Sequence, residues 1–342
     1  MIKIENIVRP NILALKPYSS ARNEFNGKEG IYLDANENPF GELNRYPDPY
    51  QKELKQKLAA LNKVNNKNIF VGNGSDEVID LAFRLFCQPE VDKALIFAPT
   101  YGMYEVSAAI NNVELITLSL NKEFQIDLEK VKPYLSDKNI KLLFICSPNN
   151  PTGNLMNKSD IEYILNNFEG IVIIDEAYID FSNSKSLINL INKFNNLIVS
   201  QTFSKAWGLA AARVGLAYAN EKIINFYNKV KPPYNISKLN QKAAINSLEN
   251  KSTYQDNLKN ILIEKELLRE ALQQIDVVKK IYPSDANFLL IEVDNANAIY
   301  TSLVKKQIIT RNRNKQVPNC LRISVGSSEE NKKLVNALKN MS

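Results

Sequence analysis

The chain has 342 residues, 44% hydrophobic and 23% charged, with a net charge of +6. This is the balance of an ordinary globular protein, long enough for about two domains. It contains no histidine, which excludes a Ser-His-Asp triad, a Cys-His pair, an HExxH zinc site and histidine-based phosphotransfer.

The N-terminal stretch "MIKIENIVRPNILALKPYSS" has no apolar segment of signal-peptide length, and no run elsewhere is long enough to span a bilayer. The expected location is cytoplasmic, with no membrane partner. From residue 67 to 220, short apolar runs alternate with helical periodicity: "IFVG", "ALIFAP", "VELITL", "KLLFIC", "GIVIID", "NLIVSQT" and "VGLAYA". Val/Ile/Leu-rich runs separated by helices predict a mostly parallel sheet covered on both faces, an α/β domain. After "PPYNISKLNQ", residues 236–275 read as long, charged and helical. The strand-like "ANFLLIEV", a helix near 296–307, "LRISV" and a closing helix over 329–340 then predict a smaller α+β unit. The expected division is a large domain over 30–245, with 1–29 as an N-terminal arm grouped with 246–342 in the small one.

Lysines scattered among asparagines read as a solvated surface, so no nucleic-acid partner is expected; a mildly positive field suits small anionic substrates. Cys87, Cys146 and Cys320 are widely spaced and each is flanked by apolar residues. They form neither a disulfide framework nor a CxxC site, so buried free thiols in a reducing compartment are expected, and no metal centre.

Ligands of open α/β sheets sit at the carboxyl ends of the strands. Those ends carry "VGNGSDE", "PTYGMY", "CSPNNPTG", "IIDEAY" and "QTFSKAWGLAAARVG". The first lacks the last glycine of GxGxxG and the GK[ST] of a P-loop, but Ser75 and Asp76 open a helix whose amides suit a phosphate. Tyr101 can lay a ring on a flat cofactor, and the Pro-bounded turn aims Asn150 at a ligand. Asp175 closes a fully apolar strand, where a carboxylate needs a cation or donor. Thr202, Ser204, Lys205 and Arg213 are polar in a small, apolar context that desolvates the lysine amine. Pyridoxal 5'-phosphate uses this set: a lysine to anchor it, a carboxylate at its ring nitrogen, donors at its phenolic oxygen and several for its phosphate. Lys205 and Asp175 fill the first two roles, Tyr178 and Asn150 the third, and Ser204, Arg213 and the Ser75 and Asp76 amides the last.

"SPNNPTG", "IDEAY" and "SKAWGLAAARVG" resemble the signatures of the fold-type-I, pyridoxal-phosphate-dependent aminotransferases. "LDANENPFG", "LNRYPDP", "GNGSDE", "ANFLLI" and "CLRISVG" are similar to the branch of that family acting on histidinol phosphate, with glutamate and 2-oxoglutarate as the donor pair. The resemblance runs through nearly the whole chain. It implies Lys205 as covalent anchor and acid-base catalyst in ping-pong amino transfer, Asp175 and Tyr178 at the ring, and Tyr101 stacked on it. It places Thr202, Ser204, Arg213, Ser75 and Asp76 at the phosphate. It implies that Tyr46 reaches the cofactor phosphate of a neighbouring subunit, making the active unit a homodimer. Arg322 and Arg311 resemble the arginines that grip the substrate anion, with Arg313 close enough to exchange roles with Arg311, and Tyr18 resembles a pocket-lining tyrosine. Aromatic-amino-acid aminotransferases and threonine-phosphate decarboxylases are the neighbouring activities within the family; a non-catalytic, cofactor-binding regulator is a more distant one.

Overall fold

Seven apolar runs become the strands of one sheet. They are β1 (Ile69–Asn73), β2 (Lys93–Ala98), β3 (Glu114–Ser119), β4 (Ile140–Cys146), β5 (Ile171–Asp175), β6 (Leu197–Thr202) and β7 (Val214–Ala219). The computed structural model describes residues 2–18 and 30–341. The strand order is β1-β7-β6-β5-β4-β2-β3. All pairings are parallel except those of β7, which runs antiparallel to both β1 and β6. Alternate side chains of each strand enter separate cores: Leu143, Ile145, Val172 and Ile174 on one face, Leu142, Phe144, Ile171 and Ile173 on the other. Burial on both faces is why these strands read as continuous apolar runs rather than as alternating ones.

A second sheet, in the order β10-β11-β9-β8, is built from β8 (Val278–Ile281), β9 (Phe288–Val293), β10 (Arg311–Asn312) and β11 (Cys320–Ser324). The helices Ala296–Lys305 and Ser328–Lys339 pack on it. The expected long helical stretch is two helices, Lys238–Glu249 and Lys251–Leu272, interrupted at Asn250. Two features join this part of the chain to the large sheet. The turn after β4 docks on the loop before β9, where Asp285 N–H donates to the Gly153 carbonyl at 2.7 Å. Trp207, beyond β6, stacks on Tyr254 of the long helix at 3.9 Å between ring centroids.

The N-terminal residues depart from the expected division. Ile4, Ile7, Val8 and Ile12 are buried in the core on one face of the large sheet, beside Phe70, Phe83 and Tyr227, rather than with the C-terminal unit. The reason is their four closely spaced aliphatic side chains, which need an apolar face to cover. Among the described residues, no helix is long and apolar enough to cross a membrane.

Gly215 of β7 lies opposite Gly72 of β1. A Cβ at Gly215 would come within 2.2 Å of the Gly74 carbonyl carbon and the Ser75 nitrogen. That close approach lets the helix Ser75–Phe86 begin directly against β7, with Gly74 N–H donating to the Arg213 carbonyl at 2.8 Å. Gly215→Ala is therefore expected to destabilise the chain by about 1–3 kcal/mol in urea unfolding, the usual cost of overpacking. A loss below about 0.5 kcal/mol, the scale of a neutral surface change, would contradict the close approach.

Candidate active site

One edge of the large sheet gathers the polar residues. Strands β1, β2, β4, β5 and β6 all end there, and the reversed β7 begins there, which is why Arg213 joins the carboxyl ends of the others. Ser75, Asp76, Tyr101, Asn150, Asp175, Tyr178, Thr202, Ser204, Lys205 and Arg213 line one small cleft at this edge, together with Cys146 and Ala177. Ten of the residues expected from the sequence thus meet, although they come from five separate stretches of chain.

Asp175, the last residue of β5, is 3% exposed. Its carboxylate accepts from the Tyr104 hydroxyl at 2.7 Å and from the Ala177 N–H at 3.1 Å. Burial raises its pKa above the ordinary carboxylate range, and the Tyr104 hydrogen bond opposes that rise. The neighbouring Glu176 points away from the cleft, since side chains alternate along the chain here. It is buried, with a pKa pushed up to about 7, and holds the following loop through the Ser186 hydroxyl, Leu187 N–H and Gln201 amide.

Lys205 differs from the expectation of a buried side chain. The residue as a whole is exposed. Its ammonium still lies over the Tyr178 ring, 5.5 Å from the centroid. Desolvation and then Arg322 lower its pKa, against the opposing pull of Asp175 and Asp76. An amine so placed is more readily neutral than a surface lysine, the state in which it can act as nucleophile or base.

The anion end lies where β6, β7 and the helix Ser75–Phe86 meet. Thr202 Oγ1 donates to Ser204 Oγ at 3.0 Å and accepts from Ser204 N–H at 3.1 Å. Arg213 Nη2 donates to Asp76 at 3.3 Å, and Asp76 also accepts from the Tyr101 hydroxyl at 3.0 Å. A Cβ at Gly74 would meet Arg213 Nη2 at 2.6 Å, so the missing side chain leaves room for the guanidinium. A helix N-terminus, an arginine and two hydroxyls together suit a phosphate. With an amine, a buried carboxylate and phenolic and amide donors beside them, the donor set fits pyridoxal phosphate.

The other wall comes from the second sheet. Arg322 of β11 donates from Nη1 to Asn150 Oδ1, and Asn150 Nδ2 donates to the Tyr178 hydroxyl at 3.4 Å. The Arg322 guanidinium lies over Phe288, whose ring also meets Tyr178 edge to face. Arg311 faces Arg322 directly across the β10–β11 ladder, so the two side chains share a face. Among the described residues, the buried Nε atoms of Arg322 and Arg313 have no acceptor. An unpaired buried donor costs roughly 1–3 kcal/mol, more when charged, so these two ask for an anion.

Tyr18 and Tyr46 do not line this cleft in the single chain. Tyr18 is exposed and borders a separate groove with Tyr50, Lys55 and Lys229. Tyr46 is half-exposed and stacks on Tyr234 at 4.3 Å. The sequence reading in turn passed over Tyr104, fully buried, stacked on Phe144 and edge-on to Tyr101. The signal was available in "PTYGMY", because a tyrosine in the first turn of the following helix carries a hydroxyl that needs a partner once buried.

Tyr104→Phe is expected to destabilise the coenzyme-free chain by about 1–2 kcal/mol. The deficit should be larger at pH 8 than at pH 5, because losing the donor raises the folded-state pKa of Asp175 further and penalises its ionised form. Urea unfolding at both values tests this; a deficit independent of pH would contradict it.

The comparisons with known proteins agree with this geometry. The family described as aminotransferase class I and II matches residues 23–338. A histidinol-phosphate aminotransferase of Cytophaga hutchinsonii is 49% identical, over 98% of this chain and 98% of its own. That of Christiangramia forsetii is 50% identical, over 99% and 98%. Among solved structures, the histidinol-phosphate aminotransferase from Clostridium acetobutylicum aligns with a TM-score of 0.80 at 27% identity, over 87% of this chain and 91% of that one. The enzyme of that name from Sinorhizobium meliloti, in complex with pyridoxal-5'-phosphate, has the same fold, with a TM-score of 0.78 at 23% identity over 86% and 82%. A cleft of this make-up, on a chain similar to these relatives over nearly its whole length, has one family reading: the chain belongs to the class I and II aminotransferases.

Proposed function

We propose that the chain transfers an amino group between histidinol phosphate and 2-oxoglutarate, giving imidazole-acetol phosphate and glutamate. The observation that carries this reading is Arg322, tied to Asn150 of the cleft that holds Lys205 and Asp175, with its buried Nε left without an acceptor among the described residues. Bound pyridoxal phosphate supplies the carbonyl that takes up the amino group and a ring that spreads the electron pair left when the substrate C–H bond breaks. Asp175, buried and ionised with help from Tyr104, holds positive charge at the ring nitrogen. Asn150 and Tyr178 donate to the phenolic oxygen, and Ser204, Arg213 and the Ser75 and Asp76 amides hold the phosphate.

Lys205 Nζ would take the proton from the substrate carbon bearing the amino group and return it to the coenzyme carbon that had carried the carbonyl. Arg322, oriented by Asn150, grips the substrate anion, which is a carboxylate in glutamate and a phosphate in histidinol phosphate. Because both substrates use that grip, they take turns, and ping-pong kinetics follow. Three buried free thiols suit a reducing cytoplasm.

Lys205→Ala is expected to lower turnover at least ~100-fold. In the wild-type holoenzyme, histidinol phosphate should bleach the visible coenzyme band at far lower concentration than phenylalanine or tyrosine do. Each tenfold gap corresponds to about 1.4 kcal/mol of preferential binding. Bleaching at lower concentration by the aromatics would overturn the substrate, and an active Lys205→Ala would overturn the mechanism.

The active unit is a homodimer in this reading. Ile31, Leu33, Phe40 and Leu43 are strongly exposed in the single chain, in the segment that carries Tyr46. Apolar exposure of that extent supports an interface there, and a second copy would bring Tyr46 to the partner's phosphate end. Sedimentation equilibrium should return a dimer; a fully active monomer would overturn this.

A further inference from the structure

Ser200 lies within β6, fully buried, and its Oγ has no hydrogen-bond partner among the described residues. The sheet register fixes its place. Cys146 of β4 pairs with Asp175 of β5, and Asp175 pairs with Ser200 of β6. Side chains paired across neighbouring strands share a face, with the strands about 5 Å apart. Ile173 and Ile198, paired two residues earlier, both enter the core that contains Phe144 and Cys146, which is the face this row takes. Asp175 thus has a thiol on one flank and a hydroxyl on the other. Beyond Ser200 the row continues through Ala217 of β7 and Phe70 of β1, which are apolar.

The two flanking groups are not used alike. The Cys146 thiol donates to the Pro148 carbonyl at 3.4 Å. The Ser200 hydroxyl donates to nothing. A carboxylate offers about four acceptor positions on its two oxygens. Tyr104, at 2.7 Å, and the Ala177 amide occupy two of them at Asp175, and a ring nitrogen would occupy a third. A fourth remains beside a hydroxyl that lacks an acceptor. Burying a hydroxyl unpaired is unfavourable, and an alanine at this position would leave no such group. The other titratable groups facing Asp175 are Asp76, Lys205, Tyr101 and Tyr178, and none of them bonds the Ser200 hydroxyl.

We infer that Ser200 is a positioning residue that acts through Asp175: its free hydroxyl turns to the carboxylate when the coenzyme is bound, and holds the negative charge that keeps the ring nitrogen protonated. This rests on the reading of Asp175 as the partner of that nitrogen and is independent of which substrate is used. Tyr104 already donates in the coenzyme-free chain, whereas Ser200 finds its acceptor only with the coenzyme. Removing the two hydroxyls therefore has opposite consequences for the coenzyme-free protein.

Wild type, Ser200→Ala, Asp175→Asn and the double variant are compared as coenzyme-free chain and as holoenzyme. The urea midpoint of coenzyme-free Ser200→Ala should rise by a few tenths of a molar, because an unpaired buried hydroxyl is gone; that of Tyr104→Phe should fall. Ser200→Ala should also hold pyridoxal phosphate about 10-fold more weakly, the scale of one hydrogen bond to a charged group. The pH midpoint of its visible coenzyme band should move up, because a less firmly protonated ring nitrogen repels positive charge at the Lys205 linkage less. With Asp175→Asn already in place, Ser200→Ala should weaken the coenzyme further by less than about twofold. Unchanged coenzyme affinity and band midpoint in Ser200→Ala would make the serine a space-filler and overturn the inference. A less stable coenzyme-free Ser200→Ala would do the same, as would an equal loss of affinity with and without the Asp175 carboxylate. If Asp175→Asn weakens the coenzyme and Ser200→Ala does not, Ser200 alone falls. If Asp175→Asn binds coenzyme as the wild type does, with the same band, the reading of Asp175 falls with it.

Discussion

A carboxylate buried at the end of a central strand is the constraint around which this cleft is arranged. Asp175 closes β5 with apolar strands on either side, and water reaches almost none of it. A charge in that position is tolerable only with donors or a cation at hand. The chain supplies the Tyr104 hydroxyl and the Ala177 amide, and sets Lys205 beyond them. Tyr104 is in turn fixed by stacking on Phe144 of β4, so the polarity of the cleft depends on packing within an apolar core. The donors satisfy part of the carboxylate, which lines the cleft, where the ring nitrogen of bound pyridoxal phosphate would join the set.

The second organising feature is the reversal of β7. A fully parallel sheet would have put the start of this strand at the opposite edge from the cleft. Running antiparallel, β7 delivers Arg213 to the carboxyl ends, and its Gly215 lets the helix Ser75–Phe86 begin against it. Two glycines and one strand direction thus gather an arginine, a helix terminus and two hydroxyls into a single anion cradle.

The strands of the large sheet were legible because each is mostly apolar and bounded by turn residues, even β3, which is only partly buried. Neither β8, a half-exposed edge strand, nor β10, of two residues, has such a pattern to show. The ten cleft residues were legible because they lie at strand ends, where a polar residue after an apolar run stands out. Tyr104 was missed because, within an amphipathic helix, a tyrosine looks like packing until its hydroxyl is traced. The sequence also could not place Ile4 to Ile12, which are too few to announce which sheet they cover. Nor could spacing choose between Arg311 and Arg313, which lie two residues apart at the same sheet edge. Tyr18 and Tyr46 sit in exposed segments, where local pattern says nothing about what they will touch.

Cys146 shares the wall of the cleft with Asp175 and Lys205. Its thiol donates to the Pro148 carbonyl at 3.4 Å, and burial together with the neighbouring Asp175 pushes its pKa far above that of a free thiol. The Lys205 amine next to it is shifted in the opposite direction. An electrophile entering this cleft therefore meets a thiol that burial keeps toward its protonated form and an amine that burial shifts toward its neutral one. The same burial disfavours the thiolate from which sulfenic acid formation begins.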